Sequence, residues 1–167
     1  MKKLSFFQKL IIITIFIILV IVITVSFTKK SDAENIAKAV LNQTYGISLE
    51  DRKNFTNAIT QSTEDNATLF KYFNSVYDGK MTENGYNDII KNRVPSRVIT
   101  TISEENSDLK VTSIKLESRD ANKGSKGYTY TVKTETVKDA TKIFTFKGNI
   151  VLIQENGHWK VDGISLQ

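Results

Sequence analysis

The stretch GNIVLIQENGHWKVDGISLQ, residues 148–167, sets the architecture. Asn156-Gly157 sits between two runs that alternate apolar and polar residues. This dipeptide suits a type I′ turn, because both central positions of that turn need positive φ. A two-residue loop places Glu155 opposite His158, Gln154 opposite Trp159, Ile153 opposite Lys160, Leu152 opposite Val161 and Val151 opposite Asp162. Side chains alternate across a strand, so Trp159 and Val161 join Ile150 and Leu152 on one face. His158 falls on the other, with Glu155, Lys160 and Asp162. The only histidine and the only tryptophan, adjacent in sequence, are thereby parted in space. Trp159 belongs to the packed face, and His158 reads as a solvated cross-strand partner of Glu155. Gly163 marks a bulge, after which Ile164 and Leu166 can change faces.

The same period of two runs backward through the chain. LKVTSIKLES (109–118), GYTYTVKTETV (127–137) and TKIFTFKGNIVLIQ (141–154) alternate in the same way and are joined by short connections. Four strands in meander order predict an antiparallel sheet. Tyr128, Tyr130 and Val132 lie on its covered face, and Thr129, Thr131 and Lys133 on the other. SRDANKGSKG (118–127) is a solvated hairpin connection, and it lacks the glycine spacing and Gly-Lys-Ser/Thr ending of a phosphate loop.

Before Asp108 the period is helical. Ser31 with Glu34 forms a capping box ahead of Ile36, Ala39, Val40 and Gln43, and Gly46 suits the stop. Ser48 with Asp51 opens a second helix carrying Leu49, Arg52, Phe55 and Ile59. Ser62 with Asp65 opens a third, whose stripe of Leu69, Phe70, Phe73, Val76 and Tyr77 reads as core and ends at Gly79. Thr82 opens a fourth with Tyr86, Ile89 and Ile90, closed before Pro95. VITTI at 98–102 fits either a short strand or a helix end.

At the amino end, Leu10 to Phe27 runs eighteen residues without charge, proline or glycine. As a helix it reaches about 27 Å, close to the hydrocarbon thickness of a bilayer. It is longer than the apolar core of a cleaved signal peptide and has no small-x-small site after it, so an uncleaved anchor over 10–28 is expected. Lys2, Lys3 and Lys9 before the span, against Lys29 and Lys30 after it, favour residues 1–9 in the cytoplasm and a domain of residues 31–167 outside the cell membrane.

The formal charge of +5 belongs to the anchor. Residues 1–30 hold five lysines and no acid, and residues 31–167 hold 18 basic and 18 acidic side chains. The domain is neutral, so direct nucleic-acid binding is not expected. With no cysteine and one histidine there is no thiol nucleophile, no zinc spacing and no histidine-rich metal site. A serine triad would have to be built on His158, which the hairpin places poorly. No catalytic residue, metal or cofactor is assigned, and no enzyme activity is expected. Abundant Lys, Asn and Ile with a single proline have a bacterial character.

Helices first, a four-strand meander last, and the ending Gly157-x-Trp159-x-Val161 resemble the nuclear transport factor two-like (cystatin-like) superfamily, especially its membrane-anchored bacterial members. The resemblance implies an α+β fold in which helices pack on a curved antiparallel sheet of about four strands, forming a cone. With one span in front, the layout looks like the bitopic assembly factors of conjugation and type IV secretion systems. That implies a scaffold at the cell surface whose partners are the membrane, other envelope proteins or further copies of itself. Two alternatives are a small-ligand receptor, with Tyr128, Tyr130, Phe144 and Phe146 lining the cone, and a superfamily enzyme with a buried carboxylate opposite a tyrosine.

Overall fold

The computed structural model describes residues 32–62 and 67–167, and residues Ala33–Gln167 form a compact unit. The anchor expected at 10–28 lies outside the described residues. Among the described residues no helix is long and apolar enough to cross a membrane.

Among the described residues five helices precede four strands: α1 over residues 32–45, α2 Leu49–Gln61, α3 Ala67–Tyr77, α4 Glu83–Lys91 and α5 Val94–Thr101, then β1 Leu109–Arg119, β2 Ser125–Thr136, β3 Ile143–Glu155 and β4 His158–Leu166. The strands make one antiparallel sheet in the order β1-β2-β3-β4, the meander expected. The terminal hairpin turns on Asn156 and Gly157 at φ 52° and 81°, and its pairs from Glu155–His158 to Leu152–Val161 are those the turn dictates. The expected Val151–Asp162 pair is corrected: Val151 faces Gly163, and the bulge leaves Asp162 without a partner on β3. That extra residue returns Ile164 to the face of Val161, so both are buried.

The helices begin and end where local chemistry requires. Ser48 and Asp51 form a reciprocal capping box at the start of α2, and Leu49 N also donates to Asp108 Oδ1 at 2.7 Å. Thr82 Oγ1 accepts from Gly85 N at 2.9 Å to start α4. Ser62 closes α2 with its N–H on Ile59 O and its hydroxyl on Ala58 O, so it belongs to the end of that helix; Ser31 and Asp65 lie outside the described residues. VITTI is helical: Arg93 at φ 51° turns the chain and Pro95 stands in the first turn of α5, where its missing N–H costs nothing.

The buried stripe of α1 is Ala33, Ala37, Val40, Leu41, Thr44 and Tyr45, rotated from the one expected; Ala39 and Gln43 face solvent. Phe55, Leu69, Phe73, Tyr77, Tyr86, Ile89, Val94 and Val98 join it from the other helices. This layer covers one face of the sheet, where Tyr128, Tyr130 and Val132 of β2 meet Phe146, Ile150 and Leu152 of β3 and Val161 and Ile164 of β4. Burying each such side chain contributes about 1.5–3 kcal/mol. Arg52 ties α2 to the connection that leads from α5 into β1, its guanidinium donating to Glu105 O at 2.7 Å and Ser107 O at 2.6 Å.

Candidate functional site

The four aromatics expected to line a pocket share the covered face. Tyr128 pairs with Ile150, Tyr130 with Gly148 and Val132 with Phe146, and Phe144 faces Thr134 nearer the sheet's other end. Tyr130 and Phe146 come together around Tyr45 of α1, whose ring stacks on Phe146 at 4.9 Å and tilts against Tyr130 at 5.8 Å. Tyr128 is buried farther along the strand and Phe144 is half-buried.

This contact is polar at its centre. The Tyr45 and Tyr130 hydroxyls are 2.5 Å apart, and Tyr130 donates to Ser165 O at 2.9 Å. If Tyr130 donates to Ser165, Tyr45 supplies the proton of the bond between the rings. Burial pushes the Tyr130 hydroxyl up to about 12, and burial and then the neighbouring Tyr130 push Tyr45 higher still. Both are therefore neutral donors at physiological pH, fastening α1 to β2 and β4. Gly148 makes room: a Cβ there would meet Ser165 O at 1.9 Å and the Tyr130 hydroxyl at 2.5 Å.

An open apolar groove of about 330 Å³ lies elsewhere, on the helical side, with Phe55, Ile59, Leu69, Ile90, Arg93 and Pro95 in its walls. The four expected pocket residues are not among its lining. His158 is exposed opposite Glu155, as expected, but the Glu155 carboxylate pairs with Lys160.

The uncovered face of the sheet is polar across its middle, with Lys115, Thr131 and Lys147 in one cross-strand row and Glu117, Thr129 and Asn149 in the next. The sheet has two edges, and they differ. Along β4, Val161 exchanges backbone bonds with Lys80 O and Thr82 N, and Met81 bridges it as a parallel strand would. Beyond that point α4 supplies side chains: Asn84 donates to Asp162 O at 2.9 Å, Asp88 accepts from Ile164 N at 2.8 Å, and Asn92 donates to Ile164 O at 2.9 Å. Arg97 of α5 finishes the series on Leu166 O at 2.5 Å. Asn84, Asp88 and Asn92 stand four residues apart, one above another on one helical face. Sequence reading followed the apolar side of α4 and missed this polar stripe; its spacing was the available signal. Gly85 lets the helix approach, since a Cβ there would meet Val161 O at 2.3 Å.

Along β1 the sealing stops early. Leu109 N donates to Ile47 O, and from Lys110 to Arg119 β2 is the backbone's only partner among the described residues.

The described residues thus define an α+β domain: helices on a four-strand antiparallel sheet with one edge sealed and the other open. No protein-family model matches the chain, and no curated protein does. Among solved structures, a periplasmic fragment of TraM aligns at TM-score 0.46 and 12% identity, covering 83% of this chain and 96% of that one, a likeness too distant to carry family or function.

Proposed function

We propose that the chain is a non-enzymatic interaction module of the nuclear transport factor two-like type. In this reading residues 10–28 anchor it in a bacterial cell membrane with the N-terminus inside, and residues 31–167 stand outside as part of a conjugation, or type IV secretion, complex. The single observation that carries the module reading is the contrast between a filled interior and an available sheet. Tyr45, Tyr130 and Phe146 are buried in mutual contact at the point where a hollow cone would open. A site for a small molecule needs a concave space of about 300–1,000 Å³ with a few convergent polar groups, and the groove of about 330 Å³, though large enough, is walled almost wholly by apolar side chains. The polar groups where Tyr45 meets Tyr130 are already bonded to one another and to Ser165. The open β1 edge, the uncovered sheet face and the apolar groove between the helices are surfaces that suit another protein. The secretion-complex assignment draws on the sequence layout, one apolar span followed by a domain ending in Gly-x-Trp-x-Val.

Gentle crosslinking of the full chain in cells, then detergent solubilisation and copurification, tests the proposal. The expected result is recovery of other envelope proteins in defined crosslinks, with DNA transfer lost on deletion. A lone monomer under the same conditions refutes it.

A further inference from the structure

An open strand edge is a template for pairing with another chain, and proteins block such edges unless they use them. Here β4 is blocked by a bridging segment and four side chains, whereas among the described residues β1 is left open. We propose that β1 is the self-association edge: two copies pair their β1 strands antiparallel about a two-fold axis at Leu116, joining two four-stranded sheets into one. The dimer gives a specific form to the self-association arm of the interaction-module reading, on which it rests.

The register follows from residues on the page. The β1–β2 ladder shifts between Val111 and Ser113, so the regular part of β1 is the run Ser113 to Arg119. Across a two-fold axis perpendicular to the sheet, residues keep their faces only if the axis passes through a residue pair. Centred on Leu116, the pairing uses the whole regular run, with Ser113 opposite Arg119 of the second copy and Ile114 opposite its Ser118. Lys115 then faces Glu117 of the second copy, twice by symmetry. Centring on Lys115 or Glu117 sets like charges directly opposite, which is destabilising. Centring on Ile114 drives the ladder into the bulge, and centring on Ser118 leaves only Glu117 to Arg119 paired.

Lys115 and Glu117 are already arranged for this. They form an ion pair at 2.7 Å on the uncovered face with side chains 74% and 62% exposed, so they contribute little to the single copy. Two copies bring four such charges into alternating order. A lysine alone on an edge acts against pairing; with Glu117 two residues on, it selects one register. On the covered face, half-buried Leu116 meets its own symmetry mate, a self-complementary contact of the kind a two-fold interface requires.

The chain has no cysteine, so single cysteines report cleanly in the full-length protein in native membranes. Leu116→Cys should oxidise to a covalent homodimer, since directly opposed Cα atoms stand about 4.5–5.5 Å apart, within disulfide range. Ser113→Cys and Arg119→Cys should each stay monomeric, because each lies about 20 Å from its own copy; coexpressed, the two should crosslink. Lys115→Glu and Glu117→Lys, both at exposed positions, should each reduce the Leu116→Cys dimer at least fivefold. Coexpressing these two charge variants should restore it as a heterodimer.

A Leu116→Cys protein that stays monomeric or joins a different polypeptide overturns the proposal. So do crosslinking of Ser113→Cys to itself and indifference to both charge changes. Recovery of envelope partners with Leu116→Cys still monomeric removes the dimer and leaves the module reading; a Leu116→Cys dimer without envelope partners keeps the dimer and removes the secretion-complex assignment.

Discussion

Gly148→Ala in the compact unit Ala33–Gln167 is expected to be among its most damaging small substitutions. Its Cβ would sit 1.9 Å from Ser165 O, 2.5 Å from the Tyr130 hydroxyl and 2.6 Å from Tyr130 Cζ. Ser165 is backbone held opposite Asn149 in the β3–β4 ladder, so the ladder must give at Ser165 and the tyrosine ring must also withdraw. Withdrawal breaks the Tyr130–Ser165 and Tyr45–Tyr130 hydrogen bonds, each worth about 1 kcal/mol. Overpacking a filled core adds about 1–3 kcal/mol, so the whole loss is about 3–5 kcal/mol. Against a typical domain stability of about 5–15 kcal/mol this is a large fraction. For a urea slope near 2 kcal/mol/M, the midpoint should fall by roughly 2 M. Half-buried Trp159 provides the fluorescence signal. Tyr130→Phe is the internal control: it loses the same two bonds without the clash, for about 2 kcal/mol. The two variants should be less than additive when combined, because the alanine then meets no hydroxyl. A Gly148→Ala protein within about 1 kcal/mol of the parent, or more stable than Tyr130→Phe, would refute the close-approach argument.

Asp88→Ala should cost about 1–3 kcal/mol by leaving the Ile164 N–H unpaired at the sealed edge, and Asp88→Asn, which keeps an acceptor, much less; equal losses in urea unfolding would remove Asp88 from the seal. Stability should also depend on alkaline pH. The folded pKa of Tyr130 is raised to about 12, and those of Tyr45 and Tyr77 are raised mainly by burial, while an unfolded tyrosine titrates near 10. The stabilising contribution is therefore complete below about pH 10 and is lost as pH rises through the folded values, with a slope of at most about 1.4 kcal/mol per pH unit per tyrosine. Urea midpoints at pH 9 and pH 11 measure it; Tyr130→Phe should flatten the slope, and an unchanged midpoint at pH 11 in the parent would contradict the buried pair.

The strands were legible because their signal is covalent and short-ranged: a period of two and an Asn-Gly turn set each hairpin position from Glu155–His158 to Leu152–Val161. The starts of α2 and α4 were legible for the same reason, since Ser48, Asp51 and Thr82 act within one turn. Alternation placed Tyr128 and Tyr130 on the covered face, where they lie, and Phe144 and Phe146 share that face. What alternation could not give is what they touch, because the Tyr45 ring arrives from 85 residues away. The face of α1 escaped for a related reason. Ala33-Ala37-Val40-Leu41 and Ile36-Ala39-Val40-Gln43 both satisfy a helical period, and the choice between them is made by contact with the sheet. VITTI, with β-branched residues that favour strands in isolation, is helical because Val94, Val98 and Ile102 are buried together.

By itself, then, the sequence determined the kind and order of the elements apart from α5, the antiparallel meander and the alternation of its faces. Only the tertiary structure decided which sheet edge closes: Asn84, Asp88 and Asn92 meet backbone groups more than 70 residues away. Periodicity is written in each residue's neighbours along the chain, whereas an edge is sealed or open according to which distant segment folds against it.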